Sequence, residues 1–384
     1  MRKKSDKTAS SKAAPKSTSG QSELERIRST ITTERGEGKV RLGSQLAPIC
    51  CIPTGVFLID LALLGGIPDG RGTIFYGVES SGKTTLALFA AAQAQRKYPD
   101  SVVVWCDTEH SWDPVWAVLC GVDVDRVELL QPDFGEEAVD LVTGYLDVDQ
   151  VCMVVFDSIA CIIPKKQGER SAEDSGVGER ARLAGILCSN ILTSWSRERE
   201  RGHKVSVILI NQYRDDIGKT YGDPRKLPGG WQANYFARCR VQMKCHKIEG
   251  ETSRGVKVTD HNEHSFMLTK DKGSTLQKGM FNVNLHPQNP QGLAIGAVDD
   301  YGTVITYAKK FGIVHGGGQT WRCDTIEGNR KFGKQAEIEA WLIEHPDDFL
   351  LLKQTMLADM RAEMGLPPVP PDGYLLGWVN VEAS

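Results

Sequence analysis

The sequence predicts an α/β fold with a mainly parallel sheet, and three observations carry that prediction. Short β-rich runs (TIFYG, SVVVWCD, QVCMVVFDS, KVSVILINQ) alternate with helical stretches from about residue 49 onward. Such alternation marks βαβ units, whose strands lie parallel in one sheet. Several of the runs are apolar throughout, as strands must be when helices cover both faces. Between the first run and the helical stretch TLALFAAAQAQ lies a glycine-rich turn, GVESSGKT. That strand–turn–helix order is the setting in which such a turn holds phosphate.

Residues 1–20, MRKKSDKTASSKAAPKSTSG, are rich in Lys, Ser, Ala and Pro. They cannot bury themselves and read as a disordered basic tail. They also lack the apolar segment of a secretory signal. An N-terminal arm over 21–48 follows, in which Leu24, Ile27 and Ile31 fall at helical spacing over 22–33. Ser22 is placed as the N-cap of that helix. Residues 49–286 form the α/β core, whose last part (RCRVQMKCHK, HSFMLTKDK, MFNVNLH) changes to an antiparallel pattern. A smaller unit spans 287–365, where QAEIEAWLIEHPDDFLLLKQTMLADMRAEMG reads as two helices broken at Pro346, and a tail over 366–384 opens with LPPVPPDG. One stretch inside the core, INQYRDDIGKTYGDPRKLPGG at 210–230, follows a buried strand yet reads as neither helix nor strand. A long irregular loop in a compact domain is usually functional or disordered.

Composition bounds the function. At 384 residues and 40% hydrophobic, the chain has room for a sizeable core. Its net charge of −3 means that a polyanionic partner must be held by a local patch. No apolar run reaches the roughly 18–20 residues that cross a bilayer, so no membrane role is expected. Ten cysteines lie scattered without a CxxC pair, which points to a reducing, cytoplasmic setting. Cys239, Cys245, His246, His261 and His264 could in principle hold zinc. Their spacing fits no standard site, and a polar hairpin accounts for them as well.

The glycine-rich turn runs Gly77, Val78, Glu79, Ser80, Ser81, Gly82, Lys83, Thr84, with Thr85 after it. Its glycines let backbone N–H groups point inward around phosphate oxygens, and the helix N-terminus adds favourable dipole charge. Lys83 is expected to reach the β- and γ-phosphates of ATP, and Thr84 to hold Mg²⁺. Asp157 ends the apolar strand QVCMVVFDS, where this class of site anchors its Mg²⁺ shell. Phosphoryl transfer to water also needs a group that orients or deprotonates the water. Glu109, just past the strand SVVVWCD, is the candidate base. Gln212, at the end of KVSVILINQ, can hydrogen-bond the γ-phosphate, or it can be a plain polar strand cap.

Together these residues resemble the RecA recombinase family of bacteria and phages. GVESSGKTT, CDTEHSWDP, GVDVDRVELLQPDFGEEA, VVFDSIA and LINQYRDDIGKTYGDP match its pattern in order, flanked by IPTGVFLIDLALLGGIPDGRG before the P-loop and WQANYFARCRV after the long loop. The resemblance covers roughly residues 22–365. It implies a RecA-type P-loop core, an N-terminal polymerisation arm and a small C-terminal α+β domain. It also implies Glu109 as catalytic glutamate, Asp157 as Walker B acid and Gln212 as γ-phosphate sensor. Asp113 and Trp116 fall where the family holds adenine, with Trp in place of a more usual Tyr. Lys270 and Lys272 match two lysines that reach the ATP of a neighbouring subunit; by themselves they read as hairpin charges.

On this resemblance the loops 165–180 and 213–228 are the first and second DNA-binding loops. Lys165, Lys166, Arg170, Arg182, Arg214, Lys219 and Arg225 become candidate phosphate contacts, and Tyr221 a residue that could wedge between bases. The implied activity is DNA-stimulated ATP hydrolysis by helical homo-filaments on single-stranded DNA. Those filaments pair with homologous double-stranded DNA and exchange strands. A contact that does not close on itself generates such a helix. Asp215 and Asp216 depart from the family's more basic second loop, and the acidic C-terminal tail of many bacterial members is missing. Two other classes remain open on the residues: a hexameric ring motor, and a nucleotide-switched scaffold that barely hydrolyses ATP.

Overall fold

The computed structural model describes residues 19–36, 40, 50–165, 177–201, 205–215, 225–251, 257–270, 276–286, 289, 292–318 and 320–367. The chain divides into two compact units, residues 1–48 and 49–384. In the first, helix α1 spans Ser19–Arg35. Ser22 therefore sits inside α1 and does not cap it. An apolar-periodicity reading starts a helix at its first apolar residue, but the hydrogen-bond ladder here continues into polar residues before that point. Ser29, Thr30 and Thr33 turn their hydroxyls back to the carbonyls of Arg26, Arg26 and Ser29.

The second unit is organised by one nine-stranded sheet. Its parallel part comprises β3 (Gly72–Gly77), β4 (Val102–Asp107), β5 (Val127–Leu130), β6 (Val151–Asp157) and β7 (Ser206–Gln212). Strand β10 (Ala237–Glu251) joins parallel to β3, and β11 (Lys257–Lys270), β12 (Lys278–Asn284) and β13 (Val298–Asp299) extend the sheet antiparallel from it. The order is β13-β12-β11-β10-β3-β7-β6-β4-β5. The chain therefore changes from parallel to antiparallel pairing at β10, where the sequence pattern changes.

The all-apolar strands have the cause that their composition suggested. Phe75, Val103, Trp105, Val155 and Ile208 face one buried layer, and Ile74, Val104, Cys106, Val154 and Val207 face the other. Helix α2 (Phe57–Ala62), which lies between the two short paired strands β1 (Cys51–Ile52) and β2 (Ile67–Pro68), and helix α3 (Lys83–Lys97) cover the first face. Helices α5 (Gly135–Tyr145), α6 (Val177–Arg201) and α7 (Gly230–Phe236) cover the second, while the short α4 (Pro114–Leu119) follows β4. The C-terminal part adds α8 (Tyr301–Lys310), the hairpin β14 (Val314–Gly317) and β15 (Thr320–Cys323), α9 (Gln335–Glu344) and α10 (Pro346–Glu363). Pro346 opens α10 at its first turn, where a missing N–H costs nothing. The apolar residues of α8, α9 and α10 share the buried layer of the first sheet face.

Several elements escaped the sequence reading. Strand β5 is four residues long with Glu128 and Leu129 exposed, so it carries no apolar run. The stretch 210–230 is not wholly irregular: β8 (Arg214–Asp215) and β9 (Arg225–Lys226) pair antiparallel at its stem. Among the described residues, no helix is long and apolar enough to cross a membrane.

Candidate nucleotide site and loop stems

Sheet register assembles the site. Gly77 pairs with Gln212 across β3 and β7, and Asp107 pairs with Asp157 across β4 and β6. The P-loop, the acids of two strand ends and the stem of the long loop therefore meet at the carboxyl edge of the parallel strands, which is where ligands bind in such sheets. The amide of Tyr213 adds a bond to the carbonyl of Gly77 at 3.1 Å.

The P-loop's glycines are required by contact. A Cβ at Gly77 would lie 2.3 Å from the carbonyl oxygen of Met243, and one at Gly82 would lie 2.3 Å from the imidazole of His264. Gly82 also has φ +88° and precedes α3 with no side-chain cap. The first-turn amides of α3 are left for an anion. Lys83 is 4% exposed and donates to the carbonyl of Val78 at 2.7 Å. Burial lowers its pKa, while Asp157, Glu109 and Glu79 favour its charge. Val78, Glu79 and Ser80 form the exposed crest of the loop, and Ser81 is buried.

Thr84 donates its hydroxyl to Asp157 at 2.8 Å. Burial pushes the Asp157 carboxyl up to about 7; Glu109 and Asp107 push the same way, and the bond from Thr84 opposes them. Thr84 and Asp157 are the pair that could hold a divalent ion. Glu109 stands beside them. Its Oε1 accepts from Ser158 Oγ at 2.6 Å, Gln212 Nε2 at 2.9 Å and Cys161 Sγ at 3.5 Å. Asp107 organises the turn that carries Glu109, accepting from the amides of Glu109, Ser111 and Trp112 and from Gln131.

Asp113 caps α4 by accepting from the amides of Val115 and Trp116, and the Trp116 indole donates to Thr85 at 3.2 Å. This fixes a half-buried aromatic face beside the start of α3. Lys270 donates to the carbonyls of Asn234 and Tyr235 at the end of α7. Of the basic candidates, Arg214 donates to the carbonyl of Ala160 at 2.5 Å, tying the second loop's stem to the first's. The backbone amide of Lys165 donates to Glu136, Arg182 is exposed on α6, and Arg225 lies in β9 opposite Asp215. Lys166, Arg170, Lys219, Tyr221 and Lys272 lie outside the described residues.

In the cysteine–histidine set Cys245 and His264 are cross-strand partners, and the others are not paired with one another in the register. Cys239 lies 3.2 Å from the Thr73 hydroxyl, His261 pairs with Asp260, and His264 stacks on Phe281 beneath the P-loop. Among the described residues no group of three or more His, Cys, Asp or Glu could hold a metal ion. Sequence reasoning missed Asp107 as the organiser of the turn, Ser158, Cys161 and His264. Asp107 and Ser158 lie within the quoted motifs CDTEHSWDP and VVFDSIA, whose spacing does not show what their side chains hold, and His264 reaches the P-loop only through the fold.

Comparison with known proteins agrees with this geometry. Residues 22–272 match the family described as the RecA N-terminal domain. Protein RecA of Aquifex pyrophilus is 32% identical over 331 residues, covering 84% of this chain and 88% of that protein. Protein RecA of Acidothermus cellulolyticus is 31% identical over 343 residues, covering 87% and 91%. Protein RecA of Symbiobacterium thermophilum is 38% identical over 218 residues, covering 56% and 60%. With the P-loop, the paired strand-end acids and the loop stem in one register and a match of this extent, the chain belongs to the RecA family.

Proposed function

We propose that the chain is an ATP-dependent DNA recombinase. It assembles as a helical filament on single-stranded DNA, pairs that strand with homologous duplex and exchanges strands, with DNA-stimulated ATP hydrolysis driving release. The observation that carries this reading is the 2.9 Å bond between Gln212 and Glu109. Gln212 ends the strand from which the long loop departs, and Glu109 is the candidate base. A single amide thus touches both the catalytic carboxylate and the stem of the proposed DNA-binding loop. Any change that DNA imposes on the stem must be felt at Glu109, and by linkage nucleotide must alter DNA affinity equally.

The site residues take the following roles. The P-loop from Gly77 to Thr85 cradles the triphosphate, with Lys83 on its terminal phosphates and the Trp116 face, steadied by Asp113, against adenine. Bound between Thr84 and Asp157, Mg²⁺ would supply charge neutralisation on the phosphate oxygens. Glu109 takes the proton of the attacking water, and Gln212 senses the γ-phosphate. Lys270 and Lys272 reach across to a neighbour's nucleotide, and the arm over 21–48 docks on an adjacent copy. Residues 287–365 form the small C-terminal domain. Arg214 and the other loop cations contact DNA phosphates. Ten free cysteines accord with a cytoplasmic location.

The test is ATP hydrolysis with and without single-stranded DNA at two salt concentrations. Strong stimulation that fades with salt is expected, since phosphate contacts are salt-dependent. An unstimulated rate would overturn the coupling and favour the scaffold reading.

A further inference from the structure

We infer that Ser158 is a positioning residue for hydrolysis: its hydroxyl holds Glu109 by Oε1 so that Oε2 is the oxygen presented to water. This rests on the reading of Glu109 as the base.

Every side-chain donor on this carboxylate falls on one oxygen. Ser158 Oγ at 2.6 Å, Gln212 Nε2 at 2.9 Å and Cys161 Sγ at 3.5 Å all meet Oε1, and no donor among the described residues meets Oε2. A carboxylate offers about four lone-pair sites over two oxygens, so this crowding fixes the carboxylate's rotation and leaves one oxygen open.

The three donors differ in permanence. A thiol is a weak donor at best. Gln212 is the residue proposed to turn toward a γ-phosphate, and that turn draws its amide away from Glu109. Ser158 makes the shortest of the three bonds, in the range of a hydroxyl bonded to an anion. It is the donor that stays when Gln212 leaves.

Ser158 is itself held. It is fully buried. Its amide donates to Thr108 Oγ1 at 3.0 Å, and that hydroxyl lies 2.9 Å from Ser158's own carbonyl oxygen. The Thr108 amide donates to the carbonyl of Asp157 at 2.8 Å. Thr108 immediately precedes Glu109, so the two strand ends that carry Ser158 and Glu109 are stapled one residue from each. The spacing between hydroxyl and carboxylate is therefore set by backbone, which is what precise positioning requires. In the reaction, a water proton passes to Oε2 while the water oxygen bonds the γ-phosphorus. The bond to the β–γ bridging oxygen breaks with its electron pair on ADP, and the proton passes on to phosphate.

The experiment uses the full chain with ATP, Mg²⁺ and single-stranded DNA. Ser158→Ala should lower kcat roughly 10- to 100-fold, the scale of a misplaced catalytic group, with KM for ATP unchanged. Ser158→Thr keeps the hydroxyl and should restore most of the rate. In a Glu109→Gln background, Ser158→Ala should remove nothing further, because residues acting as a unit are not additive. A wild-type kcat for Ser158→Ala in a chain that Glu109→Gln inactivates would sink the positioning role alone. Equal losses in both backgrounds would make Ser158 merely structural. A Glu109→Gln chain that hydrolyses at the wild-type rate would instead remove the base reading. Should Ser158→Ala melt early, Thr108→Val, which keeps the shape and removes the clamp, must lower kcat in the same way; a wild-type kcat there overturns the proposal.

Discussion

Two carboxyls illustrate how neighbours decide the meaning of a buried acid. Asp157 is raised by burial, yet the Thr84 hydroxyl and the Lys83 ammonium favour its charged form and offset part of that cost. Asp299, on β13, is pushed up to about 6 by burial, with Asp300 and Glu339 adding to the shift. The backbone at Tyr301 and the more distant His261 only partly offset it. Here the charge is a cost to the fold. The folded carboxyl holds its proton above the ordinary value of 3.8, so between pH 4 and 6 the native state binds more protons than the unfolded chain. Stability from this group is present below that window and is lost as pH rises through it. Asp299→Asn removes the charge, and it should raise stability at pH 7 by roughly 1–2 kcal/mol after allowing for partial exposure. The gain should close below about pH 4, where the wild-type carboxyl is neutral in both states. Thermal unfolding midpoints at pH 4, 6 and 7.5 measure this, and a pH-independent difference would refute the assignment.

At the scale of elements, the P-loop was the most legible part, because its backbone conformation is written in its glycines. Gly82 needs its φ of +88°, and the motif says so without any structure. The sequence did not reveal why a side chain is also excluded sterically. His264 comes from β11, 183 residues beyond its partner Ser81, and fills the space under the turn. It is 2% exposed and lies flat on Phe281, so it cannot move aside. Gly82→Ala would add left-handed strain of about 1–2 kcal/mol to a clash at 2.3 Å. ATP affinity is expected to fall at least about tenfold, since P-loop amides can no longer converge on the phosphates. Adding His264→Ala should recover folding stability but only part of the binding, because the strain remains. Titration with a fluorescent ATP analogue reads the first effect and thermal melting the second. Wild-type affinity in Gly82→Ala would show that the loop tolerates a different path. The apolar strands were legible for a related reason: burial on both faces leaves a run that no exposed segment mimics. Strand β5 and the β8–β9 ladder were not, because an edge strand with exposed Glu128 and a two-residue ladder carry too little pattern.

For the whole molecule, the question is whether the C-terminal helices are a separate body or part of the core. Sequence placed a boundary at residue 287 because the strand pattern stops there. It could read α9 and α10 from their periodicity but not α8 or the glycine-rich β14–β15 hairpin, which take their shape from what they pack on. In the fold, α10 lies on α2: Arg361 donates to the carbonyl of Leu64 at 2.6 Å, and the helix's apolar side shares one layer with Phe57 and Leu61. Within that layer sits an ion pair, Lys353 to Asp300 at 3.2 Å, with side chains only 5% and 3% exposed. Burial lowers the Lys353 pKa while Asp300 favours its charge, and Asp300 Oδ2 has no hydrogen-bond partner among the described residues. Such a pair is costly to break and cheap to replace, since removing one partner strands the other charge. Lys353→Ala should therefore destabilise by about 3–5 kcal/mol, whereas Lys353→Met combined with Asp300→Leu should recover most of that loss. The Lys353 ammonium already sits 4.0 Å from the centre of the Phe349 ring, so a methionine sulfur there would meet an aromatic face. If the layer is one core, Lys353→Ala must lower a single unfolding transition, with ATP protecting the C-terminal helices as well as the P-loop. Calorimetry with and without nucleotide decides this. Two transitions, of which only one moves with ATP, would mean that the C-terminal helices fold as an independent domain and that the shared layer is an interface between bodies.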